Sequence, residues 1–391
     1  MRKITLITAA RSEYGIQRRL IKHLATDDSI SFSLIVSGTH LSTKHGLTVR
    51  EIEADGIPIA ARVDLGIDTT SDVPTIMARA LTGFSKALQG CAPDLVIMLG
   101  DRYEMLAAAL ACTILNIPIA HLHGGETTVG ATDEVFRHAI TKASCLHFTS
   151  CEEYRNRVIQ LGESPDRVFN VGSLGVENIL KYQLLSRDEL SQELDVKFRK
   201  INILSTFHPV TFQRGQGLNQ VSEVLAAFDA LQDTSIFITR PNADSEGDAI
   251  AHELEKFAKS HANAYLFSSL GSLRYLSLAK HVDAVVGNSS SGIIEIPSLK
   301  TATVNIGDRQ QGRIHADSVV NCKASAHDIL DAIEKATSEQ FKALVQQVRN
   351  PYEKSGTEAE IIRIVKAAPL TCHKKFYDLP ISQVDRRSNR A

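Results

Sequence analysis

Short apolar runs rich in branched residues alternate along the chain with segments whose apolar positions recur every three or four residues. Runs bounded by turn residues fit buried strands, and the longer period fits amphipathic helices. In the first half the runs at 4–9, 31–36, 94–99, 118–122, 146–149 and 168–171 read as strands, with helices at 14–25, 73–88, 104–115, 135–143 and 152–161. In the second half strands are expected at 201–207, 235–239, 264–267, 284–286 and 301–306, with helices such as 220–231 and 248–260. Strand and helix in strict alternation build a parallel sheet covered by helices on both faces. Two such series predict an α/β protein of two doubly wound, Rossmann-like domains facing a cleft. The stretch 184–200 is dense in charge and holds no strong strand, so the boundary should fall within 175–200. The end of the chain, polar and basic, reads as partly disordered.

Composition narrows the function classes. The 391 residues carry 43 lysines and arginines against 45 aspartates and glutamates, a formal net charge of −2. A general nucleic-acid binder would be clearly basic, so no nucleic-acid partner is expected and any anion site must be local. The six cysteines, Cys91, Cys112, Cys145, Cys151, Cys322 and Cys372, form no CxxC pair and read as reduced structural thiols. The apolar run at 4–10 is cut off by Arg11, Ser12 and Glu13, which fits a first strand better than a leader peptide. No run approaches the roughly 18 residues that span a bilayer, so no membrane partner and a cytoplasmic protein are expected.

In open α/β sheets ligands bind beyond the carboxyl ends of the strands, where loops and helix N-termini converge. Polar residues gather at that end of six expected strands: Arg11-Ser12-Glu13, Gly100-Asp101-Arg102-Tyr103-Glu104, His121 to Glu126, His208-Pro209, Arg240 to Asp244 and Gly287 to Gly292. Each alone is an ordinary capped turn; six together favour a ligand cleft. Gly287–Gly292 is the best anion cradle, its small residues leading into a helix expected at 293–299. Neither a Walker A lysine nor a G-x-G-x-x-G after the first strand is present, which removes support for a P-loop nucleotidase or a usual dinucleotide enzyme. Arg11, Arg309 and Arg313 can supply cationic grip on a phosphate. Asp101, Glu104, Glu126, Asp133 and Glu134 are carboxylates near the first-half strand ends, suited to splitting acid and base roles. Glu104, Asp133 and Glu134 also fit as first-turn carboxylates of helices. His208, after a strand and before a proline, fits a ligand role and a packed core role equally. His121, His123 and His138 lack metal-site spacing, so no metal is expected.

The motifs GDRYE at 100–104, HLHGGETT at 121–128, DEVFRHAITK at 133–142, FHPVT at 207–211, PNAD at 241–244, GNSSSG at 287–292 and INIGDRQQGR ending at Arg313 occur in this order. Together they resemble the hydrolysing UDP-N-acetylglucosamine 2-epimerases of bacterial sialic acid synthesis, over roughly residues 1–365. The resemblance implies a two-domain glycosyltransferase-B-type fold with a C-terminal helix crossing back: 1–180 carrying the catalytic carboxylates, 181–365 binding UDP, and 366–391 as crossover and tail. It implies a UDP-sugar substrate, no cofactor, a homodimer, and elimination of UDP to a 2-acetamidoglucal followed by water addition. By motif, Asp101, Glu126 and Asp133 are the acid/base carboxylates and His208 faces the diphosphate. Arg11, Asn242, Ser289, Ser290, Glu295 and Arg309 contact the nucleotide. His123 stands where many relatives carry glutamate, so either Glu126 or His123 takes that role. Three alternatives stay open: the same reaction on a UDP-2,4-diacetamido-2,4,6-trideoxyglucose, a retaining glycosyltransferase of the same fold, and a nucleotide-sugar sensor.

Overall fold

A computed structural model describes residues 1–129, 132–209, 215–241, 247–371 and 373–380. The first sheet contains β1 (Arg2–Thr8), β2 (Ile30–Ser37), β3 (Ile59–Val63), β4 (Leu95–Leu99), β5 (Ile119–Leu122), β6 (Leu146–Thr149) and β7 (Val168–Asn170). The second contains β8 (Ile201–Thr206), β9 (Thr234–Thr239), β10 (Ala264–Phe267), β11 (Ala284–Gly287), β12 (Ala302–Ile306) and β13 (Val319–Cys322). Every pairing is parallel, in the orders β3-β2-β1-β4-β5-β6-β7 and β10-β9-β8-β11-β12-β13. Strand order therefore reverses beside β1 in one sheet and beside β8 in the other. These reversals open the crevices in which doubly wound sheets take their ligands.

Two strands are additional to those read from the sequence, β3 and β13, and both lie at sheet edges. An edge strand is only partly covered, so Arg62 and Asn321 interrupt the apolar runs that mark central strands such as β4, where all five residues are buried. Helices cover both faces. Val73–Cys91 begins where the Asp72 carboxylate accepts the Thr75 N–H at 3.0 Å, has Pro74 in its first turn, and ends at Ala92 with φ of 44°. Its Ile76, Ala80, Phe84 and Leu88 stripe, at helical spacing, buries against Ile7, Val96 and Met98 of the sheet. Ile76, Phe84 and Leu88 each contribute about 1.5–3 kcal/mol, and Phe84→Ala would cost about 3–5 kcal/mol.

The chain returns to the first sheet through a C-terminal helix, as the resemblance implies. The crossing helix is Thr357–Ala367, whose Ile361, Ile362, Ile364 and Val365 join Leu20, Ile21 and Leu24 in the first core. Residues 373–380, in the tail expected to be partly disordered, run along the first domain: Lys374 Nζ meets Glu163 at 2.7 Å, and the Tyr377 N–H donates to the Gly162 carbonyl at 2.9 Å. A small apolar cluster joins the halves, with Cys151, Tyr154 and Val176 against Ile293, Ile294 and Tyr352. The Tyr154 and Tyr352 hydroxyls lie 2.9 Å apart within it. Burial pushes the Cys151 thiol up to about 12, consistent with an inert structural role. Among the described residues no helix is long and apolar enough to cross a membrane.

Candidate functional site

The carboxyl ends of β4 and β5 deliver Asp101 and the His123–Glu126 turn to one place. The turn is tight: His123 has φ of +64°, and Gly125 sits at +79°, where a Cβ would lie 2.4 Å from the Tyr154 carbonyl oxygen. Glycine is required there, and histidine is among the few other residues that enter the left-handed region readily. His121 fixes the neighbouring turn from below. Its Nε2–H donates to the Gly100 carbonyl at 2.9 Å and its Nδ1 accepts the Thr141 hydroxyl at 3.1 Å. Burial pushes His121 down to about 3, so it is a neutral strut.

Glu126 is 3% exposed and saturated with donors. Its Oε1 lies 2.8 Å from His123 Nδ1 and accepts the Ser150 hydroxyl at 2.9 Å, while Oε2 accepts Arg313 Nη1 at 2.6 Å. Burial would raise its pKa, but Arg313, then His123 and Arg137, override that and hold the carboxyl well below the usual range. Arg137, 2% exposed, lies behind it. It pairs with Asp101 and donates to Glu134 at 2.9 Å, to the Thr128 hydroxyl at 2.9 Å and to the Glu126 carbonyl at 3.0 Å. One guanidinium fork thus sets the relative positions of Asp101, Glu126 and the loop between β5 and the helix Asp133–Ala143. Asp133 opens that helix, one turn before Arg137.

Arg313 comes from the second half, and the same loop adds two further links across the cleft. The Thr127 hydroxyl donates to the Gly312 carbonyl at 2.5 Å and the Val129 N–H to the Gln311 carbonyl at 3.3 Å. Gly312, at φ +85°, would drive a Cβ to 2.9 Å from Val129, so this approach needs glycine. On its own side the loop holds the ends of β8 and β11. Arg309 and Gln310 donate to the Asn288 carbonyl at 3.0 and 2.9 Å, and the Asn288 amide exchanges two 2.7 Å bonds with the His208 backbone. Burial, then the nearby Arg309, push His208 down to about 3, leaving a neutral imidazole.

Other expected groups take different places. Ser289 and Ser290 follow β11, but the helix expected at 293–299 is a single turn, Ser291–Ile294, followed by the 3-10 segment Ile296–Leu299. Pro297 cannot continue an α-helical ladder. Anion binding there rests on the serine loop rather than on a long helix dipole. Glu295 is held up from the ordinary carboxyl range by burial and lies within electrostatic reach of His123 and Glu126. Gly175 leaves room for it, since a Cβ would sit 2.6 Å from Glu295 Oε1. Arg11 lies apart from the carboxylates, paired with Ser269 and 3.5 Å from Glu51. Asn242 lies outside the described residues.

Arg137, Ser150, Thr128 and Gln310 were not singled out from the sequence. Ser150 follows β6 directly, so the strand-end rule reaches it. Arg137 stands four residues after Asp133, on the same helix face, a spacing that marks a shared contact. Glu13 is a further buried carboxyl at the end of β1. Its Oε2 accepts the Ala9 and Ala10 N–H groups at 2.9 and 3.2 Å, and burial, then Glu104, raise it to about 8.

Comparison with known proteins adds an independent result. Residues 22–366 match the family described as UDP-N-acetylglucosamine 2-epimerase. The Escherichia coli polysialic acid biosynthesis protein P7 is 40% identical over 386 residues, covering 97% of this chain and 98% of that protein. The Campylobacter jejuni GDP/UDP-N,N'-diacetylbacillosamine 2-epimerase (hydrolyzing) is 40% identical over 347 residues, 87% of this chain and 89% of its own. The crystal structure of UDP-GlcNAc 2-epimerase from Neisseria meningitidis bound to UDP-GlcNAc shares the fold with a TM-score of 0.77 at 17% identity, covering 93% of this chain and 99% of that one.

Proposed function

Because the chain belongs to the UDP-N-acetylglucosamine 2-epimerase family, we propose that it is a hydrolysing enzyme that turns UDP-GlcNAc and water into N-acetylmannosamine and UDP. In the first half-reaction the C2 proton leaves to a base. Its electron pair becomes the C1–C2 double bond as the C1–O bond breaks, and that bond's pair departs on the β-phosphate oxygen. Water oxygen then adds to C1 of the 2-acetamidoglucal, and a proton reaches C2 from the opposite face. The balance needs no cofactor.

The observation that carries this reading is the carboxylate cluster around Arg137 and Arg313. Asp101 and Glu126 are tied to one buried guanidinium, Glu126 itself buried and Asp101 25% exposed, at the carboxyl ends of adjacent strands. Acid/base chemistry at carbon needs ionisable groups held in fixed positions beside the reacting atoms. In this reading residues 1–180 bring Asp101, Glu126, Asp133 and His123 to the sugar, and residues 181–365 hold the nucleotide. There His208, Ser289, Ser290 and Arg309 meet the charge that develops on UDP, with Arg11, Asn242 and Glu295 as further nucleotide contacts. Arg313 draws the halves together over the substrate. A homodimer is the assembly we propose, supported by Leu110 and Ile114, which are 44% and 69% exposed on the helix Tyr103–Ile114; light scattering in solution tests it.

A second substrate is favoured by the Campylobacter relative, whose name is that of a diacetylbacillosamine epimerase. Coupled detection of UDP release from UDP-GlcNAc and from the UDP-diacetamido-trideoxy sugar ranks the two. Release from UDP-GlcNAc at the higher kcat/KM supports the first reading. Release from the diacetamido sugar alone transfers the same chemistry to that substrate, and release from neither contradicts both. Asp101→Asn should abolish release while UDP binding stays within about threefold of wild type; full turnover in that variant removes Asp101 from the reaction.

A further inference from the structure

Glu126 and His123 compete for one role, and their hydrogen bonds separate them. Glu126 already accepts from His123, Ser150 and Arg313. Each donor stabilises the anion, and taking up a substrate proton would break at least one of these bonds, so the carboxylate is a poor base. Since an ionised carboxylate only accepts, the 2.8 Å contact places the imidazole proton on Nδ1. The other nitrogen, Nε2, then carries a lone pair. It is buried and has no hydrogen-bond partner among the described residues.

An unpartnered nitrogen is not by itself a sign of function, and His147 shows why. Its Nδ1 is also unpartnered, but its ring is fully buried inside β6 and its other nitrogen pairs with Glu163. His123 differs in place. It stands past the end of β5, its side chain is 13% exposed, and it lies within electrostatic reach of Glu295 from the other half of the molecule. Its backbone is held at φ +64°, in the tight turn that carries the imidazole past the end of the strand.

We propose that His123 Nε2 is the base that removes the C2 proton, and that Glu126 is a positioning residue that fixes the tautomer and offsets the imidazolium. This rests on the 2-epimerase reading above and assigns a role within it. The C2–H bond breaks and an Nε2–H bond forms, its electrons passing into the C1–C2 double bond while the C1–O pair leaves with UDP. The His123–Glu126 pair goes from net charge −1 to 0. Charged groups facing the imidazole are Glu126, Arg313 behind it and Glu295 opposite.

The test begins with wild-type enzyme on both UDP-sugars; UDP release from neither of them overturns the 2-epimerase reading, independently of His123. With an active wild type, His123→Ala and His123→Gln should each lower kcat by about 10²–10⁴-fold. UDP affinity should stay within about threefold, and free imidazole should restore turnover to the alanine variant by about tenfold or more. The glutamine variant keeps a donor towards Glu126, so a merely structural histidine would leave it active. Glu126→Gln, which keeps the imidazole itself, should retain turnover above that of His123→Ala. Turnover within tenfold of wild type in either His123 variant, or no imidazole rescue in a folded, UDP-binding His123→Ala, overturns the assignment.

Discussion

At the scale of single residues, Arg137 has the most partners in the cluster, and its removal tests the geometry without touching a candidate proton carrier. Arg137→Met leaves Glu134 and Asp101 without their buried cation, a change that costs about 3–5 kcal/mol where one member of a buried pair is lost. Urea denaturation measures it, and kcat should fall with it. The neutral histidines give a pH signature. His121 and His208, both pushed down to about 3 in the fold, titrate near 6.5 when unfolded, so the unfolded chain binds more protons below that value. Their contribution to stability is complete above about pH 6.5 and is lost as pH falls towards 3. Between pH 6 and 4, His208→Gln should flatten the dependence of unfolding free energy on pH; an unchanged slope contradicts a neutral, buried His208. Which residues end the strands was legible from apolar runs breaking into polar ones. Their pairing was not: Glu126 and Arg313 meet only because two separate sheets face each other, and no local pattern encodes that.

Helices and strands divide in the same way. Central strands announce themselves because both faces are covered, whereas β3 and β13 at the edges carry solvent-facing Arg62 and Asn321 and blend with loops. The crossing helix Thr357–Ala367 was hidden for a different reason. Its amphipathic pattern looks like that of any helix of the second half; the resemblance implied a crossing helix, and packing shows which residues of it join the first core. Truncating that face by Ile361→Ala or Val365→Ala should destabilise by about 2–5 kcal/mol. Because both side chains are buried in the core of the first half, the loss should appear in the unfolding of the first sheet. Loss confined to the second sheet, followed by sheet-specific hydrogen exchange, would contradict this packing. The tail contact is smaller. Lys374 and Lys142 flank Glu163, whose pKa falls to about 2 against the penalty of burial through hydrogen bonds from His147, Lys142 and Lys374.

For the whole molecule, the near-neutral net charge of −2 conceals an uneven layout in which the carboxylates of one half meet the arginine-bearing loop of the other. Arg313→Ala removes the ion pair across the cleft and leaves Glu126 buried without its strongest partner. Small-angle scattering should register a larger radius of gyration for that variant without ligand, and UDP release should drop. An unchanged radius and unchanged turnover would mean that the loop 309–313 does not draw the halves together. The central claim, that this chain deprotonates C2 of a UDP-sugar and adds water to the product of elimination, is tested most directly by NMR of UDP-GlcNAc incubated with the enzyme in D2O. The account predicts free UDP and N-acetylmannosamine carrying deuterium at C2. UDP-N-acetylmannosamine as the product, or free sugar that retains its original hydrogen at C2, would contradict it.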